Sequence, residues 1–153
     1  MEVLIKTFSK LTNQELYDLL QLRSEVFVVE QECVYQDIDG KDQDALHVLG
    51  YHEQKLIAYT RVFKPGDYFK ESSIGRVVVK QESRGLGDGY EIMKSSISYI
   101  GNVLNESVIR ISAQTYLKQF YSNLGFNEVG RVYLEDGIPH INMVRNQINL
   151  KFQ

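Results

Sequence analysis

This sequence of 153 residues contains a single cysteine, two prolines, no tryptophan and no excess of basic charge. With only Cys33 present, an intrachain disulfide and a metal site built from several cysteines are excluded. The formal net charge of −3 argues against nucleic acid as a partner, because binding to phosphates needs a surplus of lysine and arginine. No run approaches the roughly 18 consecutive apolar residues of a membrane-spanning helix, and the N-terminus resembles no signal peptide. We therefore expect a soluble cytoplasmic protein with no membrane partner.

The sequence does contain enough apolar material for one core. Hydrophobic residues account for 43% of the chain and charged residues for 24%, as in globular domains. A chain of this length buries roughly 70% of its unfolded surface, so it folds without a disulfide or a metal. No linker-like, repetitive or low-complexity stretch divides it. We predict one domain that spans residues 1–153.

Hydrophobic periodicity predicts the element order β-α-β-β-β-α-β-α-β-β, a mixture of helices and strands in one core. Thr12 and Glu15 have the spacing of a capping box, and the helix that they start is expected to run to about Glu30 or Gln31. Residues 74–79 include three consecutive valines and predict a strand that is buried on both faces. The other predicted strands are residues 3–8, 46–52, 55–63, 108–113, 126–134 and 138–144.

A glycine-rich turn, Arg84-Gly85-Leu86-Gly87-Asp88-Gly89, lies between a predicted strand and a predicted helix. Glycines permit positive φ angles and let a ligand approach the backbone, so successive N–H groups at a helix start can bind an anion such as a pyrophosphate. Arg84 would add a cation. The spacing fits neither the dinucleotide-binding fingerprint nor the P-loop. A tight turn that binds no ligand is the alternative.

The order of these segments resembles the acetyl-CoA core of the GNAT family of N-acetyltransferases. The resemblance rests on residues 74–79, the glycine turn, the helix after it, and residues 108–114 and 120–126. Residues 27–31, 35–40 and 136–140 resemble the ElaA-like branch of that family. The resemblance implies an α/β (α+β) acyl-CoA N-acyltransferase fold. In that fold the central sheet is mixed but mostly antiparallel, two parallel strands splay apart, and helices cover both faces.

The resemblance also implies acetyl-CoA as co-substrate. The glycine turn would hold the pyrophosphate, and the strand edge at residues 77–79 would pair with the pantetheine arm. One position departs from the family, which usually has an apolar residue where this chain has Asp88, and we expect the Asp88 side chain to face away from the phosphates. The implied cofactor contacts are Val77, Val78, Val79, Arg84, Gly85, Leu86, Gly87, Asp88, Gly89, Gln114 and Tyr121.

Tyr121 matches the tyrosine that the family uses to protonate the departing thiolate. A phenol has a pKa of about 10, so it is protonated at pH 7 and can donate. Tyr121 also lies on an apolar stripe with Leu117 and Leu124, so a purely structural core residue is the alternative.

His140 is the favoured candidate for the base that takes a proton from the amine. An imidazole titrates near neutral pH, and the position follows a rigid Ile138-Pro139 step after the predicted turn at residues 135–137. A packed or surface histidine is the alternative. His47, Glu30 and Glu82 are weaker candidates.

Several charged residues have two interpretations. Arg61 and Arg76 are expected to pair with Glu25 or Glu30, and the alternative is a clamp for a substrate carboxylate. The six acids between residues 30 and 44 form either a solvated loop or a negative rim that attracts a cationic amine. Their spacing does not fit an EF-hand, so no metal site is predicted. Cys33 is expected to be structural, because no nearby base in the sequence activates it.

The predicted function is acetyl-CoA-dependent N-acetyl transfer by direct attack of a primary amine. Two alternatives on the same fold are a non-catalytic acyl-CoA sensor and an interaction module that has lost CoA binding. The partners are acetyl-CoA and an amine acceptor, which is a small molecule or a protein amine. A homodimer is a further possible assembly.

Overall fold

The structure of the protein is a computed structural model that describes residues 1–146. The last residues of the predicted domain, 147–153, lie outside the described part. Residues 1–146 form seven strands and three α-helices: β1 Glu2–Thr7, α1 Asn13–Arg23, β2 Leu46–His52, β3 Lys55–Phe63, β4 Ser72–Val79, α2 Asp88–Asn102, β5 Val108–Gln114, α3 Lys118–Asn123, β6 Asn127–Glu135 and β7 Ile138–Asn146. Each predicted strand boundary lies within two residues of the observed one. In this part of the chain no helix is long and apolar enough to cross a membrane.

The strands form one sheet in the order β1-β2-β3-β4-β5-β7-β6. Every neighbouring pair is antiparallel except β4 and β5, which are parallel. The parallel pairing is short, because only Ser72 with Ile109 and Ser73 with Arg110 are in register. Beyond these pairs the two strands separate. The predicted mixed, mostly antiparallel sheet with splayed parallel strands is confirmed.

The prediction that residues 74–79 are buried on both faces is wrong for part of the strand. Residues 75–77 are only half-buried, since β4 leaves β5 after Ser73 and its free edge borders a cleft. Arg76 has a φ of +47°, and the register with β3 shifts between Tyr59 and Arg61. This β-bulge changes the direction of β4 at the point where the strands separate.

The first helix follows the predicted extent but changes geometry inside it. The capping box is formed, with Glu15 N donating to Thr12 Oγ1 at 3.0 Å and Thr12 N donating to Glu15 Oε1 at 2.8 Å. After Arg23 the chain continues as a π-helical segment over Ser24–Glu30. Its wide turns, which the sequence did not predict, bring the end of the segment to the border of the cleft.

Helices cover both faces of the sheet. On one face, α1 and the π-helical segment pack Leu19, Leu22 and Phe27 against Leu49 of β2 and Tyr59 of β3. The opposite face carries α2 and α3. Its buried residues include Val48, Ala58, Ile92, Met93, Ile97, Ile100, Tyr121, Leu124 and Phe126. Adjacent strand residues such as Val48 and Leu49 therefore belong to different cores, as the two-residue period of a strand requires.

Candidate active site

A cleft of about 580 Å³ lies where β4 and β5 separate. Its walls come from β4, the glycine turn, the starts of α2 and α3, β5, the end of the π-helical segment and the β6–β7 hairpin. The predicted site residues that line it are Val77, Val78, Val79, Arg84, Gly85, Gly87, Asp88, Gly89, Gln114, Tyr121 and His140. Leu86, which is 77% exposed, is not part of these walls. Residues that are far apart in sequence thus meet around one cavity.

The glycine turn has the backbone geometry that its sequence predicts. Gly85 and Gly87 have φ angles of +85° and +89°, which side chains with a Cβ rarely adopt. A Cβ added at either glycine would meet no protein atom within 4 Å. Gly87 is the N-cap of α2, and no side chain caps the helix there. The first N–H groups of a helix without a side-chain cap are the donors that an anion uses.

Asp88 does not place its charge on the open side of this turn. Its carboxylate is 5% exposed and accepts a hydrogen bond from His52 Nε2 at 3.1 Å. His52 lies at the end of β2. The side chain therefore points toward β2, while the backbone N–H of Asp88 starts the helix.

Arg84 is held by an ion pair that the sequence did not predict. Its guanidinium donates to Glu30 Oε1 at 2.9 Å and to the Val79 carbonyl at 3.0 Å. The hydrogen bond from Arg84 lowers the pKa of Glu30, so Glu30 is a poorer proton acceptor than its position in the cleft would imply. The pair joins the π-helical segment to the end of β4 and fixes the guanidinium beside the glycine turn.

Tyr121 packs in the core and also faces the cleft. It lies in α3 and is 6% exposed, and its ring makes edge contacts with Phe120 and Phe126 at centroid distances of 5.0 and 6.1 Å. The same ring lines the cleft. Burial raises the pKa of the Tyr121 hydroxyl, which keeps it protonated at neutral pH and available as a donor.

His140 lies on β7, where it pairs across the sheet with Gln114 of β5 and Tyr133 of β6. Its ring is buried and stacks on Tyr133 at 6.0 Å. Nδ1 is 2.7 Å from the Ile138 carbonyl oxygen, which can only accept, so Nδ1 carries a proton. In the neutral ring Nε2 then has the lone pair, and it lies 3.7 Å from Glu135 Oε2. His140 thus presents a basic nitrogen toward a carboxylate in the cleft.

His47 and Glu82 are not brought into the cleft. His47 lies in β2 and is fully buried, with Nδ1 2.6 Å from the Tyr59 hydroxyl and Nε2 2.9 Å from the Asp42 carbonyl oxygen. Burial lowers its pKa, so it is a neutral structural residue. The Glu82 side chain is 72% exposed and is not among the residues that line the cleft.

The predicted pairing of Arg61 and Arg76 with Glu25 or Glu30 is wrong. Arg61 binds Asp39 at 2.6 Å and Asp42 at 2.8 Å, and Arg76 binds Asp37 at 2.7 Å. Buried Arg23 binds Asp37 at 2.9 Å and Asp42 at 2.7 Å. The segment after the π-helical turns folds back over the bulge of β4. Its aspartates, and not the glutamates of the helix, therefore lie within ion-pair distance of these guanidiniums.

This buried network contradicts both interpretations of the acidic segment for three of its six acids, whereas Glu30, Glu32 and Asp44 are exposed. Asp37 and Asp42 are buried, and Asp39 is half-buried, so these acids form neither a solvated loop nor a negative rim. Burial works to raise the pKa of Asp39, but hydrogen bonds and charge from Arg61 outweigh it and hold that pKa far below its usual range. These three acids are paired with three arginines, Arg23, Arg61 and Arg76.

Sequence reasoning missed several residues of the cleft. Glu135 lines it, although the sequence treats this residue only as part of a turn. The sequence contained a signal for this position, because a hairpin that pairs Glu135 with Ile138 places Glu135 beside His140. Gln31 also lines the cleft and donates to Gln114 Oε1 at 3.3 Å. Cys33 borders it too, with its thiol 3.4 Å from the Asp136 carbonyl oxygen.

Comparisons with known proteins agree with this architecture. Residues 8–146 match the family model described as "Acetyltransferase (GNAT) domain". Protein ElaA of Escherichia coli strain K12 is 44% identical over 142 residues, which are 92% of this chain and 93% of that protein. Two crystal structures superpose with TM-scores of 0.88, an acyl-CoA N-acyltransferase from Pseudomonas aeruginosa at 39% identity and Escherichia coli ElaA at 41%. Each superposition covers 95% of this chain and 99% of the other chain.

Proposed function

This chain belongs to the GNAT acetyltransferase family and is an acyl-CoA acyltransferase, and from that premise we propose that it transfers an acetyl group from acetyl-CoA to a primary amine by direct attack. The observation that carries the proposal is the cleft between the separated strands β4 and β5. An anion-binding turn lies at its α2 end, and a protonated phenol and an imidazole with a free lone pair line the same cavity. We propose that one domain performs the whole reaction.

The glycine turn and β4 are the parts that would hold acetyl-CoA. The residues present fit a pyrophosphate, because the positions of Gly85 and Gly87 leave open space and the N-terminus of α2 has no side-chain cap. Beyond Ser73 the edge of β4 that faces β5 pairs with no strand in the described chain, so its backbone groups at residues 77–79 are available to an extended amide chain. Gln114 faces the cleft from the other wall.

Tyr121 and His140 have complementary roles in the proposed reaction. His140 Nε2 accepts one proton from the acceptor ammonium, which frees the nitrogen lone pair to attack the thioester carbonyl carbon. As the new C–N bond forms and the C–S bond breaks, the Tyr121 hydroxyl donates its proton to the departing sulfur. The nitrogen loses its second proton, which restores the Tyr121 hydroxyl through solvent. The proton on His140 is released to water, so one proton leaves for each amide formed.

The proposal is tested by mixing the protein with acetyl-CoA and a panel of primary amines and measuring the free thiol of CoA. We expect thiol release that depends on the amine, with the N-acetylated amine formed in equal amount by mass spectrometry. A parallel series with longer acyl-CoA thioesters measures acyl selectivity. Tight binding of acetyl-CoA without transfer to any amine would contradict the proposal and favour the sensor.

A further inference from the structure

A second, smaller cavity adjoins the main cleft at the point where β4 and β5 separate. Its volume is about 50 Å³. Five residues line both cavities: Ile74, Gly75, Arg76, Ser112 and Glu135. If acetyl-CoA fills the main cleft, as in the proposed function on which this inference rests, the acceptor arrives from elsewhere. The shared residues mark a junction where the two reactants can meet.

Glu135 provides the only uncompensated charge among these shared residues. The other charged side chain, Arg76, is neutralised by Asp37 and Asp39. Among residues 1–146, no lysine or arginine nitrogen lies within 4.0 Å of the Glu135 carboxylate. Its contacts are with Ser112, whose hydroxyl donates at 3.4 Å, and with His140. An exposed anion at the junction would attract a cationic group.

The atoms of Glu135 and His140 that face each other are both hydrogen-bond acceptors. Nδ1 of His140 is committed as a donor to the Ile138 carbonyl, so Nε2 of the neutral ring presents a lone pair. It lies 3.7 Å from Glu135 Oε2, which also accepts. An ammonium group has three N–H donors and can satisfy both acceptors at once.

We propose that Glu135 and His140 hold the ammonium group of the acceptor between them, and that the acceptor is a cationic primary amine with no carboxylate next to that nitrogen. An α-amino acid is disfavoured because its carboxylate would lie next to Glu135. Arg61 and Arg76, the two arginines that line the second cavity, are already paired with aspartates.

The test compares Glu135→Gln with Glu128→Gln, which changes an exposed glutamate on the same strand. Glu128 pairs with Lys118 at 3.6 Å and lines neither cavity. With phenethylamine or butylamine as acceptor, we expect Glu135→Gln to raise KM for the amine at least about tenfold, the effect of losing a charged hydrogen bond. The dissociation constant of acetyl-CoA and the melting temperature should stay unchanged, and Glu135→Asp should recover part of the loss. Glu128→Gln should behave as the unchanged protein.

Calorimetry supplies a readout that does not depend on turnover. Phenethylamine titrated into the protein saturated with CoA should bind, and Glu135→Gln should abolish most of that binding. Transfer to glycine or β-alanine in preference to simple amines would overturn this inference and leave the proposed function standing. Equal KM values for Glu135→Gln and the unchanged protein would also overturn it. Absence of transfer to every amine would instead contradict the proposed function, and absence of amine binding to the CoA complex would overturn the inference.

Discussion

The two ends of the cleft are formed by different chemical groups, backbone N–H groups at one end and side chains at the other. At the glycine turn the groups available to a ligand are backbone N–H groups. The Asp88 carboxylate is hydrogen-bonded to His52, and the Arg84 guanidinium is hydrogen-bonded to Glu30. At the opposite end, near His140, the walls are side chains from β5, β6 and β7, and Arg61 and Arg76, which border the adjoining second cavity, are held in ion pairs with aspartates.

This difference determines how each end responds to substitution. A site made of backbone depends on φ angles and empty space, so it is sensitive at a few glycines and tolerant elsewhere. A site made of side chains depends on the ion pairs and other contacts that hold those side chains in place.

The largest effect is expected at the buried ion-pair network of three arginines and three aspartates beside the second cavity, which we call the acceptor end of the cleft. Arg61→Met removes a cation that is 1% exposed and leaves Asp39 and Asp42 without one of their partners. Breaking a buried ion pair on one side costs about 3–5 kcal/mol, because the remaining charges stay out of water. Urea unfolding measures this loss in the free energy of unfolding.

The matched control is the partly exposed pair between Lys80 and Glu25, whose side chains are 34% and 45% exposed. Lys80→Met should cost no more than about 1 kcal/mol. Equal losses in Lys80→Met and Arg61→Met would show that the network does not hold the acceptor end.

Gly87→Val is expected to lower the affinity for CoA about 100-fold, which corresponds to about 2.7 kcal/mol. A branched side chain would fill the space at the turn and oppose its φ of +89°. Gly66→Val is the control, since Gly66 has the same φ and open surroundings in a turn that is not part of the cleft. Both variants should lose similar stability. Calorimetric titration of CoA distinguishes them, and unchanged affinity in a folded Gly87→Val protein would remove the turn from the binding site.

The same contrast explains what could be read from the sequence. The glycine turn, the capping box and the order of helices and strands along the chain depend on residues close together in the chain, and all three agree with the structure. The partners of Arg61 and Arg76 could not be read, because they depend on where residues 37–42 fold back across β4.

Two further features of the structure could not be predicted from local sequence patterns. The π-helical geometry of Ser24–Glu30 depends on packing against the sheet, since its apolar residues keep a spacing that an ordinary helix would also satisfy. Half-burial of residues 75–77 follows from the separation of β4 and β5 rather than from the valines themselves.

Tyr121→Phe is expected to lower kcat by about 100-fold, near the lower end of the range for a general acid. The ring keeps its contacts with Phe120 and Phe126, so the melting temperature and the affinity for acetyl-CoA should not change. Single-turnover measurements, at a pH where chemistry limits the rate, give this effect directly. Tyr17→Phe, on the exposed side of α1, is the control. A wild-type kcat in Tyr121→Phe would exclude it as the proton donor and leave it as a core residue.

His140→Ala is expected to have the smallest effect, lowering kcat/KM for the amine about tenfold, below the usual range for a full general base because water can replace the imidazole. Acetyl-CoA affinity should barely change, since the ring lies away from the glycine turn on β7. The acidic limb of the kcat/KM profile should flatten, because protonation of Nε2 no longer blocks proton transfer. A pH profile with an unaltered acidic limb would contradict the assignment.

The decline of kcat/KM at acidic pH must be distinguished from unfolding of the protein, because protonation of the buried residue His47 lowers the stability of the fold. Burial lowers the pKa of His47 below its usual value of 6.5, so the unfolded chain binds a proton more readily than the folded one. Its contribution to stability is therefore complete above pH 6.5 and declines as the pH falls toward the lowered value. His47 lies outside the cleft and is retained in His140→Ala, so both proteins should lose stability in parallel below pH 6.5. Only the catalytic profile should differ between them, which assigns the difference to His140 rather than to unfolding.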